Sequence, residues 1–239
     1  MWALYRKEIS QFFSSLSGII AIVIFLIVNG LVLFVFEDNI LDFGYASLDR
    51  FFELSPWILL LLAPAITMRS FAEEFRTGTW EVLRAQPLTL WQLMLGKYLG
   101  AFTVVAIALM PTFFYAFLLQ ELSASPGLDW GATMGSYLGL YILAAVFTAI
   151  GIWCSSLSAN TIIAFLLALI FMAVLYYGFH AISLIPGIPA GIDYLIEWAG
   201  IDFHYRSISR GLLVLGDLVY FSSLLLLLFL FTLHNLRVR

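Results

Sequence analysis

Six apolar runs separated by polar breaks set the rhythm of this 239-residue chain. They cover residues 18–36, 57–69, 98–119, 135–153, 160–177 and 212–233. A helix needs about 20 apolar residues to cross the hydrocarbon core of a bilayer. Backbone polar groups in lipid must be satisfied within the segment, so each run is expected to be helical. The predicted fold class is all-α: a polytopic membrane protein with six transmembrane helices. Pro64 and Pro111 lie inside the second and third runs and mark expected kinks. The fourth run is rich in small residues (Gly135, Gly139, Ala144, Ala145, Ala149, Gly151). Such residues let membrane helices approach closely.

The breaks carry their own patterns. In residues 1–16, Trp2, Tyr5, Ile9, Phe12 and Leu16 recur at steps of three and four, while Arg6, Lys7, Ser10, Gln11 and Ser14 take other faces. That spacing predicts an amphipathic helix lying in the membrane interface. An acidic loop spans 37–53. The second run is short before its first charge, so its helix is expected to continue into water through Glu73 and Glu74. Residues 69–97 then form a polar elbow. Gly78 interrupts one helical pattern and Pro87 ends the next. Between them lies a short amphipathic helix, about 79–85, with Trp80 and Leu83 on one face and Glu81 and Arg84 turned away. Thr89 with Gln92 reads as a capping box opening the following helix. Residues 178–210 are too apolar for a free loop and too interrupted to span. Pro186 and Pro189 there are expected to separate a re-entrant helical pair.

Composition agrees with this reading. Only 11% of residues are charged and 63% are hydrophobic, whereas a soluble domain carries about 25% charge. Mean hydropathy is +1.02, and the spans leave no room for a large soluble domain, so residues 1–239 read as one transmembrane domain. No cleavable signal peptide is evident. Placing both termini, the elbow and the turn at 155–159 on one side collects Arg6, Lys7, Arg69, Arg76, Arg84, Lys97, Arg237 and Arg239 there. Only Arg50, Arg206 and Arg210 remain opposite, facing most of the acids. The excess of bases assigns the first side to the cytoplasm.

Several functions are disfavoured. No span has an ionisable residue near its middle, as ion-coupled transport requires. The sequence holds no G-x-x-x-x-G-K-[ST] and no G-x-S-x-G. His180, His204 and His234 are scattered, so neither a metal site nor a catalytic set is expected. The single cysteine, Cys154, cannot form an internal disulfide. A non-transporting membrane scaffold is the alternative that these observations leave open.

The elbow pattern E-x-x-x-G-T-x-E-x-L-x-x-x-P, followed by G-K, falls on Glu74, Gly78, Thr79, Glu81, Leu83, Pro87, Gly96 and Lys97. It resembles the ABC-2 type of ABC-transporter permease. A second patch also fits: Phe203-His204-Tyr205, Ser207, Ser209-Arg210-Gly211, then Asp217 and Tyr220-Phe221. FFSSLSG, ILDFGYASLDRFF and PAITMRSFAEE look like the gliding-motility-associated subgroup of those permeases, the GldF type. The resemblance implies export driven by a separate cytoplasmic ABC ATPase that holds ATP and Mg, with no cofactor on this chain. It implies a second membrane subunit, GldG-like or a second copy, a place among the lipids of the bacterial inner membrane, and no role for nucleic acid. The elbow would be the coupling helix, through Glu74, Gly78, Thr79, Trp80, Glu81, Leu83, Arg84 and Pro87. Tyr194, Trp198, Phe203, Tyr205, Arg206 and Arg210 would form an outer gate, the aromatics at headgroup level and the arginines reaching phosphates.

The topology is open to a direct check. A cysteine introduced at Asp129 should react with an impermeant external reagent, and one at Glu81 should not. External labelling at position 81 would overturn the assignment.

Overall fold

The computed structural model describes residues 1–36, 47–123, 127–186, 189 and 191–239. The acidic loop falls largely outside this set. The described residues form α1 (Trp2–Ser14), α2 (Leu16–Phe34), α3 (Asp49–Thr67), α4 (Ala72–Thr77), α5 (Thr79–Arg84), α6 (Leu90–Leu109), α7 (Phe113–Leu122) and α8 (Trp130–Leu157). These are followed by α9 (Thr161–Ala173), α10 (Phe179–Ser183), α11 (Ile192–Trp198), α12 (Ile201–Ile208) and α13 (Leu215–Val238). Among the described residues, five helical runs are long and apolar enough to cross a membrane: Asp49–Thr77, Leu90–Leu122, Trp130–Leu157, Thr161–Ser183 and Leu215–Val238. The α1–α2 pair, bent by 70°, makes six if it is counted as one span.

The α8 helix is the axis of the bundle, packed by α3, α6, α9, α12 and α13. Its small residues work as the sequence suggested. A Cβ on Gly151 would lie 2.0 Å from Thr67 Oγ1, one on Gly139 2.2 Å from Ile208 Cγ2, and one on Gly135 2.9 Å from the Gly211 backbone. Lipid supplies no hydrophobic drive between helices, so close van der Waals contact and polar bonds must hold them. Asn29, the one strongly polar side chain in α2, accepts from Ser55 Oγ of α3 at 3.2 Å and donates to Phe25 O. Both residues are buried.

Pro111 acts as expected: α6 passes through one 3-10 turn, Met110–Thr112, before α7. Tyr137 and Tyr141 of α8 donate to Thr112 O and Ala106 O on either side of that break. Pro64 lies inside a helical run that continues unbroken to Thr67. That helix begins at Asp49, two turns before the apolar run does, because Phe51 and Phe52 are buried against Tyr115 and Tyr137. The capping box forms as read: Gln92 N–H donates to Thr89 Oγ1 and Thr89 N–H to Gln92 Oε1.

The 178–210 stretch is helical, as its apolar content suggested. The fifth span runs through a π turn, Val174–Gly178, into α10. Pro186 and Pro189 lie between α10 and α11, which pack against each other. A further division comes at Ala199–Gly200, between α11 and α12, where a Cβ on Gly200 would lie 3.0 Å from Phe179 Cβ.

Thr67 Oγ1 donates to Ala63 O, which fixes its rotamer, so it cannot swing away from an enlarged residue 151. Overpacking of this kind costs about 1–3 kcal/mol. Gly151→Val should therefore lower the thermal midpoint of the detergent-solubilised protein by several degrees. Unchanged melting would refute the tight α3–α8 contact.

Candidate functional site

Four segments far apart in sequence meet at one end of the bundle: α1, the elbow, the last turn of α8 and the last turn of α13. Their meeting is built on charge and hydrogen bonds. Glu74 Oε1 accepts from Lys7 Nζ at 3.1 Å and Lys97 Nζ at 3.3 Å, and Thr79 Oγ1 donates to Glu74 Oε2. Lys97 also reaches Glu8 Oε1 at 2.7 Å and lies over the Phe71 ring. Lys97 is only 2% exposed. The α1 helix can come this close because it rides over Gly96 and Gly100 of α6. A Cβ at Gly100 would be 2.8 Å from Glu8 Cβ.

The bend between α3 and α4 is held by Ser155 of α8. Its Oγ accepts from the backbone N–H groups of Phe71 and Ala72 at 3.0 and 3.1 Å and donates to Met68 O at 3.1 Å. Three backbone groups at a helix break are thereby satisfied in a buried place, where unpaired ones are costly. Periodicity carried no signal for this role, since Ser155 read as the first residue of a turn. From α13, Arg239 lies over the Phe75 ring at 4.3 Å and donates to Leu157 O.

Gly78 has φ +70°, the left-handed conformation that glycine adopts freely. It reverses the chain between α4 and α5, which lets Thr79 return to Glu74. The order of these residues in the elbow thus has a physical cause.

One expectation about the elbow is overturned. Trp80 and Leu83 do not face outward; they are 6% and 9% exposed. Trp80 packs edge-on to Phe71 and Phe75, with ring centroids 5.9 and 5.5 Å away. Helical spacing located the apolar face correctly, but its Trp80 packs on the protein's own Phe71 and Phe75, and Leu83 is buried with it. The outward residues are Thr79, Glu81, Val82, Arg84 and Pro87, with Val82 the most apolar at 66% exposed. Glu74 is turned inward as well.

Residues 42–233, about four-fifths of the chain, match the family model of the ABC-2 family transporter protein. The chain belongs to that family. It is a multi-pass membrane protein and the permease subunit of an ABC transporter, working with a cytoplasmic ABC ATPase. No curated protein matches the sequence.

At the other end of the permease the second patch also comes together. His204 stacks on Tyr220, ring centroids 3.9 Å apart, with Nδ1 2.7 Å from Asp217 Oδ1 and Nε2 2.9 Å from Trp198 O. Tyr220 donates to Ala199 O. These bonds pin α11 and α12 onto the head of α13. Two of the six gate residues are not placed as expected. Tyr205 is buried and donates to Phe52 O at 2.8 Å, and its burial pushes the phenol pKa well up. Arg206 is paired with Glu197 at 3.1 Å and with Asp202. Burial works against its charge, but the two carboxylates outweigh it and raise its pKa. It is thus occupied by carboxylates instead of lipid phosphate. Tyr194, Trp198 and Arg210 are exposed, and Phe203 is half-buried against Tyr194.

Removing one partner of a buried ion pair costs about 3–5 kcal/mol when the other charge is stranded; Lys97 keeps Glu8 when Glu74 is lost, so the cost here falls below that range. Glu74→Ala should still unfold the permease at lower temperature, and Glu81→Ala, on the outward side, should not. Equal melting of the two variants would refute the hub role of Glu74.

Proposed function

We propose that this permease exports its cargo under the drive of a separately encoded ATPase, and that the α4–α5 elbow is the coupling element docking on it. The carrying observation is the set of contacts that tie the elbow's inner side to the bundle. Its inner side is fixed by Glu74 to Lys7 and Lys97, by Ser155 to α8, and by Trp80 to Phe71 and Phe75. A displacement applied to α5 is therefore passed to α1, α3 and α6 together instead of being absorbed by a soft loop. The docking surface is then the outward set, Glu81, Val82 and Arg84 with Pro87, a small apolar centre rimmed by charge.

On this reading the elbow and both termini are cytoplasmic and the protein resides in the bacterial inner membrane. ATP and Mg are held on the ATPase, and this chain needs no cofactor. The apolar outer faces of α2, α9 and α13 serve lipid and a second membrane subunit, either GldG-like or another copy of this chain. The link to gliding motility or its secretion system is supported by the GldF-type segments alone. The outer helices α11 and α12 act as a cap between the two subunits, with Tyr194, Trp198 and Arg210 at its rim.

Central interface residues often cost 2 kcal/mol or more on truncation. Val82→Arg and Glu81→Arg should each reduce co-purifying ATPase by about tenfold or more, while the permease elutes as a folded species. ATP hydrolysis by the assembled complex should fall in parallel. Full co-purification and full hydrolysis with both variants would leave the elbow no coupling role.

A further inference from the structure

A cavity of about 940 Å³ opens between α1, the elbow and α6. Its volume lies toward the upper end of the range for small-molecule sites, about 300–1,000 Å³. Leu4, Phe12, Ile66, Ala101 and Val104 supply apolar wall, and Gln11, Thr77 and Gln86 supply polar groups. Six charged residues line it: Lys7, Glu8, Arg69, Glu73, Glu74 and Lys97.

The pairing of those charges is lopsided. Lys97 is held by Glu8 and Glu74, Lys7 by Glu74, and Glu73 by Arg76 at 3.4 Å. Every acid of the lining is thus engaged. The Arg69 side chain has no ion pair and no hydrogen bond among the described residues, and it is exposed. One guanidinium, with its fork of donors, is left facing a space walled in part by apolar side chains and in part by charges already paired with one another. The cavity stands where α3 leaves its apolar run, at a membrane boundary whichever way the chain is oriented.

We propose that this cavity binds an anionic phospholipid, with the headgroup phosphate on Arg69 and an acyl chain along the apolar wall. A guanidinium matches phosphate geometry with paired hydrogen bonds. The three bases of the lining are matched in number by three acids, so the attraction rests on Arg69 alone, the base with no ion pair among the described residues; basic groups between membrane helices are known to take acidic headgroups. A free phosphate would leave the apolar wall unfilled. A zwitterionic headgroup would bring an ammonium to a place with no uncommitted carboxylate. Val82 and Pro87 of the proposed docking set also line the cavity, so the bound lipid would join α1, α5 and α6 beside that surface.

Native mass spectrometry of the purified full chain, delipidated and offered phosphatidylglycerol or phosphatidylethanolamine, tests this. The wild type should retain phosphatidylglycerol over phosphatidylethanolamine by about fivefold, the worth of one basic residue at an anionic surface. Arg69→Gln should abolish that preference and Arg69→Lys should keep most of it; position 69 is exposed, so neither change disturbs packing. Ala101→Phe, which narrows the apolar part, should reduce retention of both lipids. Glycerol 1-phosphate at equal concentration should not compete. An undiminished preference in Arg69→Gln, no preference in the wild type, or displacement by glycerol 1-phosphate would each overturn the proposal.

Discussion

A lysine buried to 2% exposure beside a membrane can exist only if its charge is met. Lys97 meets two carboxylates, one from α1 and one from α4, and that requirement organises one whole end of this ABC-2 permease. Glu74 answers Lys97 and Lys7 with one oxygen and Thr79 with the other. Moving α1, the elbow or α6 alone would break two of the three ion pairs. The three therefore form a mechanical unit, and Gly96 and Gly100 make the unit possible by letting α1 approach.

The remainder of the bundle is held by different means. Apolar helices in lipid gain little by touching each other, so contact must come from fit and from scattered polar bonds. The glycines of α8 provide the fit against α3 and α12. Asn29 with Ser55, Ser155 with the α3–α4 break, and the tyrosines beside Pro111 provide the bonds. These polar groups sit where a helix is interrupted or two helices cross, and the outer faces are largely apolar. The two ends are thus tied by charge and the middle by shape.

The coupling role proposed for the elbow sets two conditions. A coupling element must be rigid on its inner side and free on its outer side. The α5 helix meets both conditions, with Trp80 and Leu83 committed inward and Glu81, Val82 and Arg84 left outward. At the opposite end, His204, Asp217 and Tyr220 fasten α12 to α13, so the outer helices move with the last span if they move at all.

How much of this was legible in the sequence follows from what kind of signal each feature leaves. The spans, the amphipathic first helix, the capping box at Thr89 and the break at Pro111 are local: hydrophobic length, helical spacing and the chemistry of single residues specify them. The gathering of basic residues on one end was legible too, because it is a sum over segments. Periodicity found the apolar face of α5 but could not say whether that face meets a partner or the chain's own Phe71 and Phe75, since an aromatic surface looks alike in either case. The interfacial preference of aromatics and arginines placed Tyr205 and Arg206 among lipid headgroups, since residue type alone does not show a partner within the chain. The partners that decided otherwise, Phe52 for Tyr205 and Ser155 for Phe71, lie 153 and 84 residues away. Sequence alone determined which residues must leave water and which must be helical; only the tertiary fold decided what each buried polar group found there, because that depends on distances between segments that no local pattern encodes.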